Sequence, residues 1–234
     1  RVRRALSLAI NRSAWLETLD FGEGCLVSGP IPCALQQWKL DEKELDPLKA
    51  KYLGGFDREE AKRLLAEAGF AKGFTTPLHH HPGYTTPWPS RFELAVDELS
   101  KVGIKAELKP EEYGKYISTT FLGEFEKLAM GPITPFLEVD DYLYGVFYPG
   151  QPNNRSRVDD PELKPMLIAQ RQELDPEKRQ RIVHDIQRYL ADKAYYIYIP
   201  TRLVYQVHQP HLKGFAPKIG HTMVHRVIAM WLDK

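Results

Sequence analysis

Ser90-Arg91-Phe92-Glu93-Leu94-Ala95-Val96-Asp97-Glu98-Leu99-Ser100-Lys101-Val102-Gly103-Ile104-Lys105-Ala106-Glu107-Leu108 reads as a helix that turns directly into a strand. Ser90 can cap the amino end with Glu93 at the reciprocal position. Phe92, Ala95, Val96, Leu99 and Val102 recur at helical spacing, and Gly103 supplies a left-handed stop. Ile104, Ala106 and Leu108 then alternate with Lys105, Glu107 and Lys109, the pattern of a half-buried strand. Upstream, Phe74 to His80 has strand composition, although Pro77 withholds a ladder donor and points to an edge or a bulge. Strand, crossover helix and strand in this length imply a right-handed parallel unit. Glu112 to Phe121 is expected as a second helix and Glu126 to Met130 as the next strand, giving an α/β chain.

In open α/β sheets ligands sit beyond the carboxyl ends of the strands. The candidate ligand mouth is therefore His79 to Trp88 together with Gly131 to Tyr142. Within it, His79, His81, Tyr84, Trp88, Gly131, Thr134, Phe136, Glu138, Asp140 and Tyr142 are the candidate contacts.

Working outward, Val2, Ala5, Leu6, Ala9 and Ile10 form a helical stripe, and Asn11 can cap a second helix carrying Ala14, Trp15 and Leu19. From Phe21 to Leu53 glycine and proline are frequent and periodicity fades, as in a long connection. Asp57 with Glu60 opens a helix that Gly69 ends. Tyr142 to Tyr148 is expected as a short helix. Asp160-Pro161 and Asp175-Pro176 each start another, the second running to about Lys193 with Ile182, Ile186, Tyr189 and Leu190 inward. Tyr195 to Pro200, Leu203 to Val207 and Val224 to Leu232 have strand composition.

The totals exclude several classes. Lys and Arg number 32 against 31 acidic residues, so no basic field draws nucleic acid or a membrane surface. No apolar run approaches the roughly 20 residues that span a bilayer. The chain opens inside a helix-like segment, so an upstream region is expected. Cys25 and Cys33 are compatible with a short disulfide-closed loop or with two reduced thiols.

Several segments together resemble family 5 extracellular solute-binding proteins, the group with peptide- and nickel-binding components of ABC importers. They are Val2 to Arg12, the Gly29-Pro30-Ile31-Pro32 turn, Phe56 to Phe70, and Asp97 to Ile104. Their order and spacing match only the carboxy-terminal portion of such a protein. The resemblance implies a periplasmic-binding-protein-like (type II) fold: residues 1–207 would form the second lobe, a mixed sheet flanked by helices. Residues 208–234 would supply tail strands completing a missing amino-terminal lobe. It implies a bacterial, periplasmic or cell-surface protein that captures a small solute and hands it to ABC permease subunits. Dipeptide-binding members carry an Arg before the matching helix and an Asp after the matching strand; Pro82 and Pro135 stand there. The implied ligand is thus a longer peptide or a sugar-like molecule, stacked on Tyr84, Trp88, Phe136 and Tyr142.

Plainer readings compete. Only His79 and His81 of the histidine trio share a face in an extended chain, and two imidazoles make a poor metal site, so neither a metal nor another cofactor is expected. Glu138, Asp140 and Asp141 can bind a cationic group or cap the following helix. Asn11-Arg12-Ser13 and Asn154-Arg155-Ser156 fit the glycosylation tripeptide by coincidence. No nucleophile elbow, phosphate-cradling loop or zinc-protease His pair occurs, which places a hydrolase behind a binding lobe. A ligand-sensing lobe of a regulatory protein shares every feature above.

Overall fold

A computed structural model describes residues 1–26, 29–41, 53–84, 87–205, 207–215 and 229–233. Helices α1 (Val2–Ala9) and α2 (Arg12–Asp20) are separated at Asn11, whose side chain accepts the Ala14 N–H as anticipated. Strand β1 (Gly24–Cys25) precedes helix α3 (Arg58–Glu67), where Asp57 caps by accepting from the Glu60 N–H. Then come β2 (Phe74–His80), α4 (Trp88–Ser100), β3 (Ile104–Pro110) and α5 (Tyr113–Ser118). A 3-10 turn (Thr120–Leu122) leads to β4 (Leu128–Ala129). The three strands β3-β2-β4 pair in that order, all parallel.

Pro77 therefore lies in the central strand, not at an edge. The Phe74 N–H bonds Gly103 O and the Glu111 N–H bonds His80 O, whereas the Met130 N–H bonds His79 O. Odd-numbered residues of β2 thus address β4, and β4 pairs only from Leu78 onward. The donor that Pro77 lacks is one no partner strand asks for.

The two strands start close together. A Cβ at Gly73, where φ is +72°, would stand 1.9 Å from the Gly103 carbonyl oxygen. Only glycine fits there.

Helix α4 begins at Trp88, two residues before the expected Ser90 cap, and Ser90 forms no cap bond. Pro89 sits in the first turn, where its missing N–H has no intrahelical partner to lose. The apolar face of α4 covers the sheet: Phe92, Ala95, Leu99, Ile104 and Leu78 are buried. Full burial of each large one stabilises by about 1.5–3 kcal/mol. The same core takes Leu8 and Trp15 from the first two helices and Leu64 and Leu65 from α3.

A second core is helical. It joins α6 (Val139–Phe147), α7 (Leu163–Gln172) and α8 (Pro176–Lys193) around Leu143, Phe147, Leu167, Val183 and Ile186. Asp175 caps α8 as expected, accepting from the Lys178 N–H. Helix α6 starts three residues ahead of the expected Tyr142, so Asp140 and Asp141 lie in its first turn, where carboxylates complement the helix dipole. Helix α7 starts past Pro161, with Asp160 Oδ1 accepting from the N–H groups of Glu162 and Leu163.

The strands expected at Tyr195 to Pro200 and Leu203 to Val207 do not form among the described residues. Only β5 (Thr201–Arg202) forms, antiparallel to β1. Arginine side chains take the carbonyls that a neighbouring strand would have used: Arg12 Nε donates to Tyr198 O at 2.7 Å and Arg91 Nη1 to Pro200 O at 2.6 Å. A small antiparallel pair, β6 (Leu212–Lys213) and β7 (Trp231–Leu232), ends the described chain. Most of the expected Val224–Leu232 strand lies outside the described residues. Cys25 and Cys33 form a disulfide. Among the described residues no helix is long and apolar enough to cross a membrane.

Candidate functional site

Because β2, β3 and β4 run parallel, their carboxyl ends open at one rim of the sheet. Side chains alternate along the end of β2. His80 turns inward, buried with its ring 4.5 Å from Phe92. Burial lowers its pKa, since the charged imidazolium loses solvent. His79 and His81 take the other face and are both held by Glu111. The His79 Nδ1–H donates to Glu111 Oε1 at 2.9 Å, and the His81 Nδ1–H donates to the Glu111 carbonyl at 3.0 Å. Thr120 donates to the second carboxylate oxygen at 2.6 Å. Burial works to raise the Glu111 pKa, but the bonds from Thr120 and His79 outweigh it and hold it below the usual range. Among the described residues, no three His, Cys, Asp or Glu side chains gather as a metal centre requires.

An aromatic enclosure surrounds His81. Tyr84 stands edge-on at 5.2 Å, Tyr113 lies at 5.1 Å and Tyr116 at 6.0 Å between ring centres. Tyr84 also touches Trp88 at 5.9 Å, and Tyr116 touches Phe121 at 6.1 Å. Burial pushes the Tyr84 and Tyr116 phenols up, so both are neutral hydrogen-bonding groups. Tyr113 stays 56% exposed. Gly131, just past β4, completes the wall: a Cβ there would stand 2.2 Å from the Tyr116 hydroxyl. Arg155 arrives from the loop after α6 and lays its guanidinium carbon 3.6 Å from the Phe121 ring centre.

The structure thus gathers His81, Tyr84, Trp88 and Gly131 at one place, with His79 bound just behind. The other candidates have different company. The buried Tyr142 hydroxyl accepts the Phe136 N–H at 2.8 Å, and the two rings meet edge-on at 5.2 Å. Thr134 is half-buried in the same loop. Glu138 pairs with Arg179, while Asp140 accepts from Gln170 and lies 3.2 Å from Arg171. These acids are neutralised by α7 and α8.

Tyr113, Tyr116, Phe121 and Arg155 escaped the sequence reading. The two tyrosines stand three apart on a helix already expected, which was a usable signal. Arg155 carried none beyond its glycosylation-like tripeptide. That tripeptide is no acceptor site in this fold, because the buried Asn154 amide donates to Val158 O at 2.8 Å and Tyr148 O at 3.2 Å.

Residues 1–154 match the family model described as bacterial extracellular solute-binding proteins, family 5 Middle. The chain is 27% identical to a dipeptide-binding protein of Pseudomonas aeruginosa, over 92% of this chain and 39% of that relative. Among solved structures it resembles the ABC transporter-associated periplasmic binding protein DppA of Helicobacter pylori, in complex with the peptide STSA. That match has a TM-score of 0.77 and 24% identity, and covers 99% of this chain and 44% of the other. A periplasmic oligopeptide-binding protein of Thermotoga maritima, bound to mannohexaose, matches with a TM-score of 0.70 and 23% identity, over 92% and 43% of the two chains. The chain spans less than half the length of each of these proteins.

Proposed function

We propose, from the premise that this chain belongs to the bacterial extracellular solute-binding proteins of family 5, that it is the second lobe of a receptor that captures peptides for an ABC importer. The observation that carries this reading is the convergence of the strand ends on one aromatic rim, where His81, Tyr84, Tyr113, Tyr116 and Trp88 present stacking faces around a small residue at Gly131. Stacking and backbone contact suit a flexible peptide of variable sequence. No bond of the ligand is broken in this reading. The ligand would contact both lobes, and that differential affinity would draw them closed and make the closed form the one that docks on a permease outside the cytoplasm.

The exposed end of the chain supports a missing lobe. Val204, Tyr205 and Val207 are 70%, 71% and 97% exposed, and Trp231 and Leu232 are 57% and 60% exposed. Apolar side chains in such number at one terminus ask for a partner surface. Residues 1–207 would be the second lobe and 208–234 the strands that complete the first.

A sugar-like ligand is the second reading, favoured by the likeness to the mannohexaose-bound protein. Mass spectrometry of the solute retained by the full-length protein decides between them, a peptide or an oligosaccharide being recovered. Calorimetry on the isolated chain tests the two-lobe reading. Binding as tight as that of the full-length protein would overturn it.

A further inference from the structure

The three histidines at the end of β2 meet different surroundings, and the middle one has no room for a charge. His80 is buried, with its ring against Phe92, and its Nδ1–H donates to the Leu78 carbonyl of its own strand at 3.3 Å. The ionisable groups acting on it are His81 and His79, which flank it, and Glu111 just past β3. That carboxylate already accepts from Thr120 and His79. From α4 the ring meets Phe92, and the adjoining Arg91 is paired with Asp20. Strand β4 carries no ionisable side chain. Burial lowers the His80 pKa, and the charges of His81 and His79 add to this against the opposing pull of the Leu78 carbonyl and Glu111.

Ring contacts run from His80 out to the rim and back. His80 packs on Phe92, Phe92 lies 5.7 Å from Trp88, Trp88 lies 5.9 Å from Tyr84, and Tyr84 stands edge-on to His81, the residue after His80. The turn between follows His81 closely, since a Cβ at Gly83 would stand 2.4 Å from the His81 Nε2. A displacement of His80 from Phe92 thus reaches Trp88 through the helix and Tyr84 through the turn.

We propose that His80 is an acid-sensitive latch on the rim: neutral, it seats the end of β2 and keeps Tyr84 and Trp88 in place for the solute; protonated, it leaves Phe92 and the solute is released. The inference rests on the peptide-capture reading above and gives that site a condition for release. Above the ordinary imidazole value of 6.5 the ring is neutral whether seated or not, and the latch holds. Below it the unseated ring takes up a proton that the buried ring refuses, so unseating gains about tenfold for each pH unit until the seated ring itself titrates. The added charge would stand between two further imidazoles, with one carboxylate, Glu111, to answer all three.

The test uses the full-length protein that contains this chain and a library of short free peptides, with retention measured by equilibrium dialysis and mass spectrometry. Retention by the wild type should fall by about tenfold between roughly pH 7.5 and roughly pH 5.5. His80→Phe, which packs on Phe92 but takes no proton, and His80→Gln should each retain peptides nearly alike at the two pH values. Retention that does not change with pH in the wild type, or a fall that survives in both variants and so belongs to His79, His81 or the solute, overturns the latch and leaves peptide capture standing. Amide hydrogen exchange without solute is the second measurement, and its wild-type arm needs neither variant to fold. Protection at His81, Gly83 and Tyr84 should drop in acid in the wild type and hold in His80→Phe. If no peptide is retained at either pH, peptide capture fails and the exchange result decides the latch, which unchanged protection overturns.

Discussion

Arg91 and Asp20 form an ion pair inside the protein, their side chains only 6% and 1% exposed, between helices far apart in the chain. A second Arg91 nitrogen donates to Pro200 O, so one side chain ties α2, α4 and the segment entering β5. The pair fixes the amino end of α4, whose first residue is Trp88 of the aromatic rim.

Asp20→Ala should therefore cost about 3–5 kcal/mol, because it leaves a buried guanidinium without its countercharge. Asp20→Ala combined with Arg91→Met should lose less than the single change. Urea denaturation measures both. A single-variant loss below about 1 kcal/mol, the range of exposed pairs, would contradict the assignment.

Asp160 joins the start of α7 to the end of α8. Burial works to raise its pKa, but the hydroxyls of Tyr189 and Tyr195 and the N–H groups of Glu162 and Leu163 outweigh that and pull it down from 3.8 to about 2. The folded pKa is the lower one, so the stabilisation is fully present above pH 3.8 and is lost as pH falls toward 2. It amounts to roughly 2 kcal/mol. Unfolding free energies of the wild type and Asp160→Asn, compared across pH, should differ by a constant amount near neutrality and converge in that acid window.

Gly131 is small because the Tyr116 hydroxyl occupies the space a side chain would need. Tyr116 is itself buried and has little room to yield. Gly131→Ala should destabilise by about 1–3 kcal/mol and displace Tyr116, lowering solute affinity in the full-length protein. A variant with wild-type melting and wild-type affinity would remove Gly131 from the wall.

Tyr113 lies over His81 yet remains largely exposed. Tyr113→Ala should leave the melting temperature almost unchanged and weaken solute binding by about 0.5–1.5 kcal/mol, the worth of one aromatic contact. Calorimetry with the solute recovered from the full-length protein reads the second quantity. An unaltered affinity would place Tyr113 outside the contact surface.

The Cys25–Cys33 bridge closes a short loop, with a sequence separation of 8. Chain entropy for a loop this small gives roughly 2–3 kcal/mol of stabilisation. Cys25→Ser with Cys33→Ser should lower the melting temperature accordingly. Addition of a reductant should affect the wild type and spare the double variant.

The sequence was legible wherever local chemistry repeats along the chain. Asn11, Asp57 and Asp175 act as the helix caps they resemble, and the parallel pairing of Phe74–His80 with Ile104–Pro110 follows the order of strand, crossover helix and strand read along the chain. It misled where a distant partner changed what a residue had to do. Pro77 sits in a central strand because β4 is too short to need its donor. Tyr195 to Pro200 has strand composition but spends its carbonyls on Arg12 and Arg91. Glu138 and Asp140, attractive as ligand contacts in isolation, meet Arg179 and Arg171.

By itself the sequence determined the α/β class, most helices and the parallel strands whose carboxyl ends share one rim, because periodicity and caps are set by neighbours a few residues away. Tertiary structure alone decided which aromatic and charged side chains share that rim. Tyr116, Gly131 and Arg155 come from three separate segments, and no local pattern encodes a contact between residues whose only link is the packing of the folded chain.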